Sequence, residues 1–80
     1  MLYYGIKDVV QITFDEAILK VRSELRISQR QLAEELNVSF TSVNRWENKR
    51  TTPNKMTIYV IRRYCDEHGL VFSYDEEGVE

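Results

Sequence analysis

Polar and basic side chains suited to a nucleic-acid surface are concentrated between Phe40 and Thr52. On a helix, Val43 and Trp46 would face inward, and the outward positions would carry Phe40, Thr41, Asn44, Arg45 and Asn48. The basic run Lys49-Arg50-Thr51-Thr52 follows directly. Such a polar helix face can hydrogen bond to base edges in a major groove, and the cations beside it can contact flanking phosphates. The segment therefore predicts a surface that reads DNA.

Catalytic and metal sites are much less well supported. Cys65 and His68 lie three positions apart, but a metal site needs three or four ligands and the sequence offers no others. Cys65 is therefore expected in the core and His68 at the surface. Ser28, Ser39 and Ser42 are interpreted as helix caps and turn residues rather than nucleophiles. We expect no enzyme activity, no cofactor and no metal.

The length and composition allow one small domain over residues 1–80. The chain has 80 residues and a mass of 9.5 kDa, and a domain of this size buries too little surface for a deep catalytic cleft. The sequence contains neither a long apolar stretch nor a basic leader, so no membrane segment and no signal peptide are expected. A single cysteine excludes an internal disulfide. A cytoplasmic protein is the expectation.

The net charge of −2 conceals a basic middle segment. Residues 20–55 carry eight Lys or Arg against four Glu, whereas residues 1–19 and 56–80 are both acidic. A local basic face can bind phosphates even in an acidic protein. The charge distribution is therefore compatible with double-stranded DNA as a partner.

Capping residues and apolar spacing predict four helices, with a core over residues 13–68. Capping boxes are expected at Thr13 with Glu16 and at Ser28 with Gln31. The first helix would end near Arg26, and the second would end at a left-handed Asn37. The third helix would span residues 39–48. The fourth would run from a Thr52-Pro53 cap to Gly69. The three-residue turn at positions 37–39 makes the second and third helices a helix-turn-helix.

The two ends of the chain have a different pattern. Residues 2–7, 9–13 and 70–74 carry β-branched and aromatic residues without helical spacing, which predicts short strands in the extensions 1–12 and 69–75. Residues 76–80 are expected to be disordered. On the fourth helix, Ile58, Ile61 and Cys65 would face inward and leave Tyr59, Val60 and Tyr64 as extra apolar surface. Either the terminal strands or a second chain would cover that surface.

The central segment resembles the Xre family, the Cro/cI-type helix-turn-helix domains of phage and bacterial repressors. The resemblance covers residues 13–65 and is carried by the run from Leu25 to Ser39, which includes Ser28-Gln29 and Leu32-Ala33, and then by Val43, Arg45-Trp46-Glu47-Asn48 and Pro53. It implies an all-α, four-helix Cro/cI-repressor-like fold. It also implies a sequence-specific DNA-binding transcription regulator, most simply a repressor that reads the major groove with helix 39–48.

The resemblance also implies roles for individual residues. The base contacts would come from Phe40, Thr41, Asn44 and Arg45. The phosphate contacts would come from Ser28, Gln29, Ser39, Asn48, Lys49 and Arg50. Arg22 and Glu47 would form a structural ion pair that ties the first helix to the end of the recognition helix.

Three features depart from the family pattern. Asn48-Lys49 replaces the usual residue-glycine pair, which predicts a third helix that continues for longer. Phe40 stands where a polar base reader is common, so it would contact a thymine methyl or simply pack. The sequence predicts no fifth helix of the kind that often serves a dimer interface, although two half-sites would need a homodimer. Two other functions stay open: an antitoxin whose termini bind a toxin, and a protein-interaction module on the same scaffold.

Overall fold

The computed structural model describes residues 12–74. Within this range the chain forms four helices and no strand: α1 (Phe14–Leu25), α2 (Gln29–Leu36), α3 (Phe40–Glu47) and α4 (Lys55–Glu67). The predicted all-α, four-helix fold is confirmed. Helix α3 packs against α1 and α2, and α4 packs against α2. None of these four helices is long and apolar enough to cross a membrane.

The core combines one apolar face of each of the four helices with Phe72 from the segment after α4. Its members are all buried: Phe14, Ala17, Ile18, Val21, Leu32, Ala33, Leu36, Val43, Trp46, Ile61, Tyr64, Cys65 and Phe72. Phe14 lies at one end of this core, where its ring meets the rings of Trp46, Phe72 and Tyr74 edge-on at 5.1–6.0 Å between centroids. Aromatic edge-to-face contacts of this kind add to the stabilisation that burial provides.

The caps of the first three helices follow the local signals in the sequence. Ser28 with Gln31 forms a complete capping box, and at the start of α1 the Glu16 side chain accepts from the Thr13 backbone N–H at 3.0 Å. Ser39 accepts a hydrogen bond from the backbone N–H of Ser42 at the start of α3. These bonds satisfy N–H groups that have no partner inside the helix.

Helix α4 begins later than the Thr52-Pro53 signal predicts. Its N-cap is Asn54, whose side chain accepts from the backbone N–H of Thr57 at 2.9 Å. Pro53 therefore precedes the cap instead of occupying the first helical position. The Asn54 side chain, rather than that of Thr52, provides the cap.

Each helix in the described range is followed closely by a residue in the left-handed region: Arg26, Asn37, Lys49 and Gly69, with φ between 58° and 71°. The prediction that Asn48-Lys49 keeps the chain helical for longer at the end of α3 is wrong. Helix α3 ends at Glu47, Lys49 takes φ 61°, and the Arg50 N–H donates to the Arg45 carbonyl at 2.9 Å. This is the bonding that a glycine usually supports at a helix end. Lysine adopts it at a cost of about 1–2 kcal/mol.

The predicted strand at 70–74 is also wrong. Residues 70–74 have no regular secondary structure, and Phe72 is buried while Leu70 and Tyr74 pack beside the core. Val71 and Ser73 point to solvent. The predicted strands at 2–7 and 9–13 lie outside the described residues, apart from Ile12 and Thr13, which are not in a strand.

Tyr64 is not part of an exposed apolar surface. Its side chain is buried on α4 beside Ile61 and Cys65. The apolar residues that α4 does expose are Met56, Tyr59 and Val60. The available apolar surface is therefore nearer the N-terminal half of α4 than the sequence predicted.

Candidate nucleic-acid interface

Helices α2 and α3 form a packed pair that fixes which face of α3 is exposed. Asn37, in the left-handed conformation at φ 62°, ends α2, and Ser39 caps α3 two residues later. Val43 and Trp46 anchor α3 in the core. The opposite face of α3 must then point outward, because residues three and four apart share one side of a helix.

The outward face carries the side chains that the sequence assigned to DNA. Thr41, Arg45, Asn48, Lys49 and Arg50 are exposed, and Phe40 is 40% exposed. Asn44 and Gln29 are half-buried beside them. Ser28 and Ser39 are exposed at the starts of α2 and α3, where their hydroxyl oxygens already accept cap hydrogen bonds.

Six polar residues from α3 and the following loop line one shallow concavity of about 500 Å³: Thr41, Asn44, Arg45, Asn48, Arg50 and Thr51. No carboxylate contributes to this lining. Two guanidinium groups are combined there with neutral hydrogen-bonding groups. This donor-rich, acid-free surface suits base edges and phosphates.

A chain of hydrogen bonds joins α1 to the recognition face. The Arg22 guanidinium holds Glu47 by two bonds, from Nε to Oε2 at 2.7 Å and from Nη2 to Oε1 at 2.9 Å. Gln29 Nε2 donates to the same Glu47 at 2.8 Å, and Asn44 Nδ2 donates to Gln29 Oε1 at 3.2 Å. Asn48 Nδ2 then donates to Asn44 Oδ1 at 3.1 Å. Together these bonds fix the orientation of α3.

The charge state of Glu47 depends on this network. Burial would raise the pKa of Glu47, but the hydrogen bonds from Arg22 and Gln29 and the Arg22 charge outweigh it and hold the pKa below 4.5. The hydrogen bond to Glu47 in turn raises the pKa of Arg22. Arg22 Nη1 also donates to the Ile27 carbonyl at 3.1 Å. Both members of the pair are therefore charged at neutral pH.

Two of the residues predicted to contact DNA are engaged inside the protein. Gln29 uses both ends of its amide, on Glu47 and Asn44, and Asn44 uses its amide on Gln29 and Asn48. Each keeps one further N–H for an outside partner, since an amide nitrogen has two donors. Among the four residues predicted to read bases, Thr41 and Arg45 have the most accessible polar side chains.

Arg30 was not among the site residues predicted from the sequence. Its guanidinium lies over the Phe40 ring at 4.9 Å, in cation–π contact distance. This contact brings a further cation to the edge of the face that carries Arg45, Lys49 and Arg50. A signal was present in the sequence, because a cation in the first turn of a helix opposes the helix dipole and needs another partner.

Cys65 and His68 do not form a site. Cys65 is fully buried, and burial raises the pKa of its thiol to about 11, so it is protonated at neutral pH. His68 Nδ1 lies 2.8 Å from the Tyr64 carbonyl, to which it donates. Among residues 12–74 no cluster of three or more potential ligands could hold a metal ion.

Comparison with known families agrees with this arrangement. The family model described as helix-turn-helix matches residues 18–70, which include all four helices in whole or part. The chain belongs to the Xre (Cro/cI-type) helix-turn-helix family. The two helices that define the family are α2 and α3, and Arg45-Trp46-Glu47 lies at the end of the second.

One curated relative is the HTH-type transcriptional activator BcrR of Enterococcus faecalis. It is 33% identical over 51 residues, which amount to 64% of this chain and 25% of that protein. The chain therefore spans about a quarter of the length of this relative. No solved structure matches the chain significantly.

Proposed function

We propose that this Xre-family domain is a sequence-specific DNA-binding transcription regulator, with residues 13–68 as its DNA-binding core. The observation that carries the proposal is the acid-free concavity on α3, which continues into the cations Lys49 and Arg50. The transcriptional function named for the relative BcrR supports it. The net charge of −2 gives little long-range attraction to DNA, so contacts on this face must provide the affinity.

In this mechanism α3 lies in the major groove. The Arg45 guanidinium donates two hydrogen bonds to the acceptors of a guanine, Thr41 bonds to an adjacent base, and Phe40 contacts a thymine methyl. Asn44 reads a base through its remaining N–H. The phosphate contacts come from the residues around this helix: Ser28, Gln29, Ser39, Asn48, Lys49 and Arg50.

Repression by occupancy is the regulatory outcome we propose. A protein bound at a promoter excludes polymerase with no surface beyond the one that holds DNA. The relative BcrR is named an activator, but three quarters of that protein lie outside the match. A reporter gene with the selected site inside its promoter tests whether the protein represses or activates. We expect expression to fall when this protein is supplied.

Selection of bound duplexes from a random pool is the experiment that tests the function. We expect an enriched palindrome, which gives the operator, its spacing and the symmetry together. Failure to enrich any sequence, with no binding at low salt, would contradict the proposal and indicate a protein-interaction module. Co-purification of a neighbouring gene product bound through the termini would instead indicate an antitoxin.

Arg45→Ala is expected to weaken binding to the selected site by about 1–3 kcal/mol, mostly through one base pair. Binding to random duplex should change little. Arg45→Lys should not restore the affinity, because an ammonium cannot form the two-pronged contact of a guanidinium. Equilibrium titrations on the selected site, on single-base variants of it and on random duplex measure these effects.

Two controls separate base reading from phosphate contact. Lys20→Ala removes the same charge from an exposed position on α1 and should leave both affinities unchanged. Lys49→Ala with Arg50→Ala should weaken all duplexes alike and reduce the salt slope by roughly 0.9 for each phosphate that is no longer neutralised. If Arg45→Ala weakens specific and random duplexes equally, Arg45 binds phosphate and the sequence is read by its neighbours.

Dimerisation through α4 is the second part of the proposal. Met56, Tyr59 and Val60 form an exposed apolar strip, and a palindromic site needs two recognition helices. Val60→Asp should therefore sediment as a folded monomer and bind a palindrome more weakly, whereas Leu19→Asp, at an exposed apolar position on α1, should remain a dimer. Wild-type protein that sediments as a monomer at high concentration and binds DNA singly would contradict this interface.

A further inference from the structure

A second, larger cleft lies beside the candidate interface. It has a volume of about 910 Å³ and is bordered by the start of α1, the loop after α3, one face of α4 and Tyr74. Its lining includes four cations: Lys49, Arg50, Lys55 and Arg62. Asp15 is the one carboxylate among its described lining residues, and it accepts a hydrogen bond from the Thr13 hydroxyl.

The four cations of this basic cleft have no acidic partner within the described part of the chain. The ion pairs of residues 12–74 join Lys20 to Glu24, Arg22 to Glu47 and Arg63 to Glu67. Arg62 instead donates to the Phe72 carbonyl at 3.2 Å and lies over the rings of Phe72 and Tyr74. The basic cleft therefore presents an excess of positive charge next to aromatic walls.

A segment of opposite charge follows the wall of the basic cleft directly. Tyr74 lines the cleft, and the next six residues carry four carboxylates: Asp75, Glu76, Glu77 and Glu80. Six residues can span roughly 20 Å, and the segment starts beside one of the cations, because the Arg62 guanidinium lies 5.8 Å from the Tyr74 ring. Residues 1–11 also adjoin the cleft in sequence, but Lys7 and Asp8 balance each other there. Charge complementarity thus favours the segment at 75–80 as the occupant.

We propose that the acidic segment 75–80 binds in the basic cleft and competes with DNA phosphate for Lys49 and Arg50. Competition with DNA rests on the function proposed above, whereas occupation of the cleft does not. Each exposed ion pair changes an equilibrium constant by only a few-fold and is screened by salt. The segment is therefore a reversible occupant that DNA displaces. While it is bound, it lowers the affinity of the protein for non-specific DNA.

Zero-length carbodiimide cross-linking tests the occupancy without DNA. At low salt we expect amide links from the carboxylates at 75–80 to Lys49 and Lys55, in clear excess over links to the exposed Lys20. High salt should abolish the excess. Links from these carboxylates spread evenly over all lysines, or links from Asp8 to the cleft lysines in their place, would overturn the proposal.

Binding to random duplex tests the competition. Glu76→Gln with Glu77→Gln should tighten binding at low salt at least threefold more than Glu34→Gln with Asp66→Asn, which removes the same charge from exposed positions away from the cleft. Equal gains in the two double variants would overturn the competition. If the cross-links form but no variant binds DNA, the cleft contact stands and the proposed function fails.

Discussion

Phe72→Ala is expected to lower the free energy of unfolding by about 3–5 kcal/mol, the usual cost of removing a buried phenylalanine ring. Phe72 is 8% exposed, and its ring meets Phe14 edge-on at 6.0 Å between centroids and lies tilted against Tyr74 at 5.6 Å. Removal of this ring would open the end of the core where Phe14 also contacts Trp46. Urea denaturation followed by tryptophan fluorescence measures the change.

Val71→Ala is the matched control for this prediction. Val71 immediately precedes Phe72 but is 87% exposed, so its replacement should change the unfolding free energy by less than about 0.5 kcal/mol. Similar small effects for both variants would mean that residues 70–74 do not form part of the core in solution.

The segment at 70–74 also shows where sequence reasoning reaches its limit. The alternation of inward Leu70, Phe72 and Tyr74 with outward Val71 and Ser73 is the periodicity of a strand, and the structure retains it. A strand also needs a hydrogen-bonded neighbour, and none exists among residues 12–74. The burial pattern was therefore predictable, but the partner that would have made it a sheet was not.

Local interactions explain why α1, α2 and α3 could be predicted closely. Their starts are fixed by side chains that bond within three residues, as Ser28 does with Gln31. The end of α3 was not predictable, because it depends on Lys49 accepting a left-handed conformation that glycine would adopt more readily. The sequence also predicted an exposed Tyr64 wrongly, because the burial of this side chain depends on how α4 packs and not on residue spacing alone.

The candidate site likewise has features that the sequence periodicity predicts and features that only the packing of the helices determines. Periodicity alone separates the outward Thr41 and Arg45 from the inward Val43 and Trp46. The bond between Asn44 and Gln29 joins residues 15 positions apart, and it forms only when α2 and α3 are packed together. Which polar side chains remain accessible to DNA is consequently a property of the tertiary structure.

Glu47→Ala should destabilise the fold by about 3 kcal/mol. Removing one member of a buried ion pair costs about 3–5 kcal/mol because the other charge stays unpaired. The Arg22 side chain is 20% exposed, so we expect the cost for this pair to be at the lower end of that range. The variant also leaves Gln29 Nε2 without its acceptor. Glu24→Ala is the control, because the Lys20–Glu24 pair is about half exposed and should contribute less than about 0.5 kcal/mol. Equal melting of both variants and wild type would show that the network does not stabilise the fold.

The pH dependence of stability is an independent test of the prediction that the Glu47 carboxylate stabilises the fold. The pKa of Glu47 lies below 4.5 in the folded protein, so its contribution is complete above pH 4.5 and is lost as the pH falls through the folded-state value. Glu47→Gln has no charge to lose at this position. The difference in unfolding free energy between wild type and Glu47→Gln should therefore be constant near neutral pH and shrink below pH 4.5. A difference that persists unchanged into strong acid would mean that shape and hydrogen bonding, rather than the charge of Glu47, hold α1 to the end of α3.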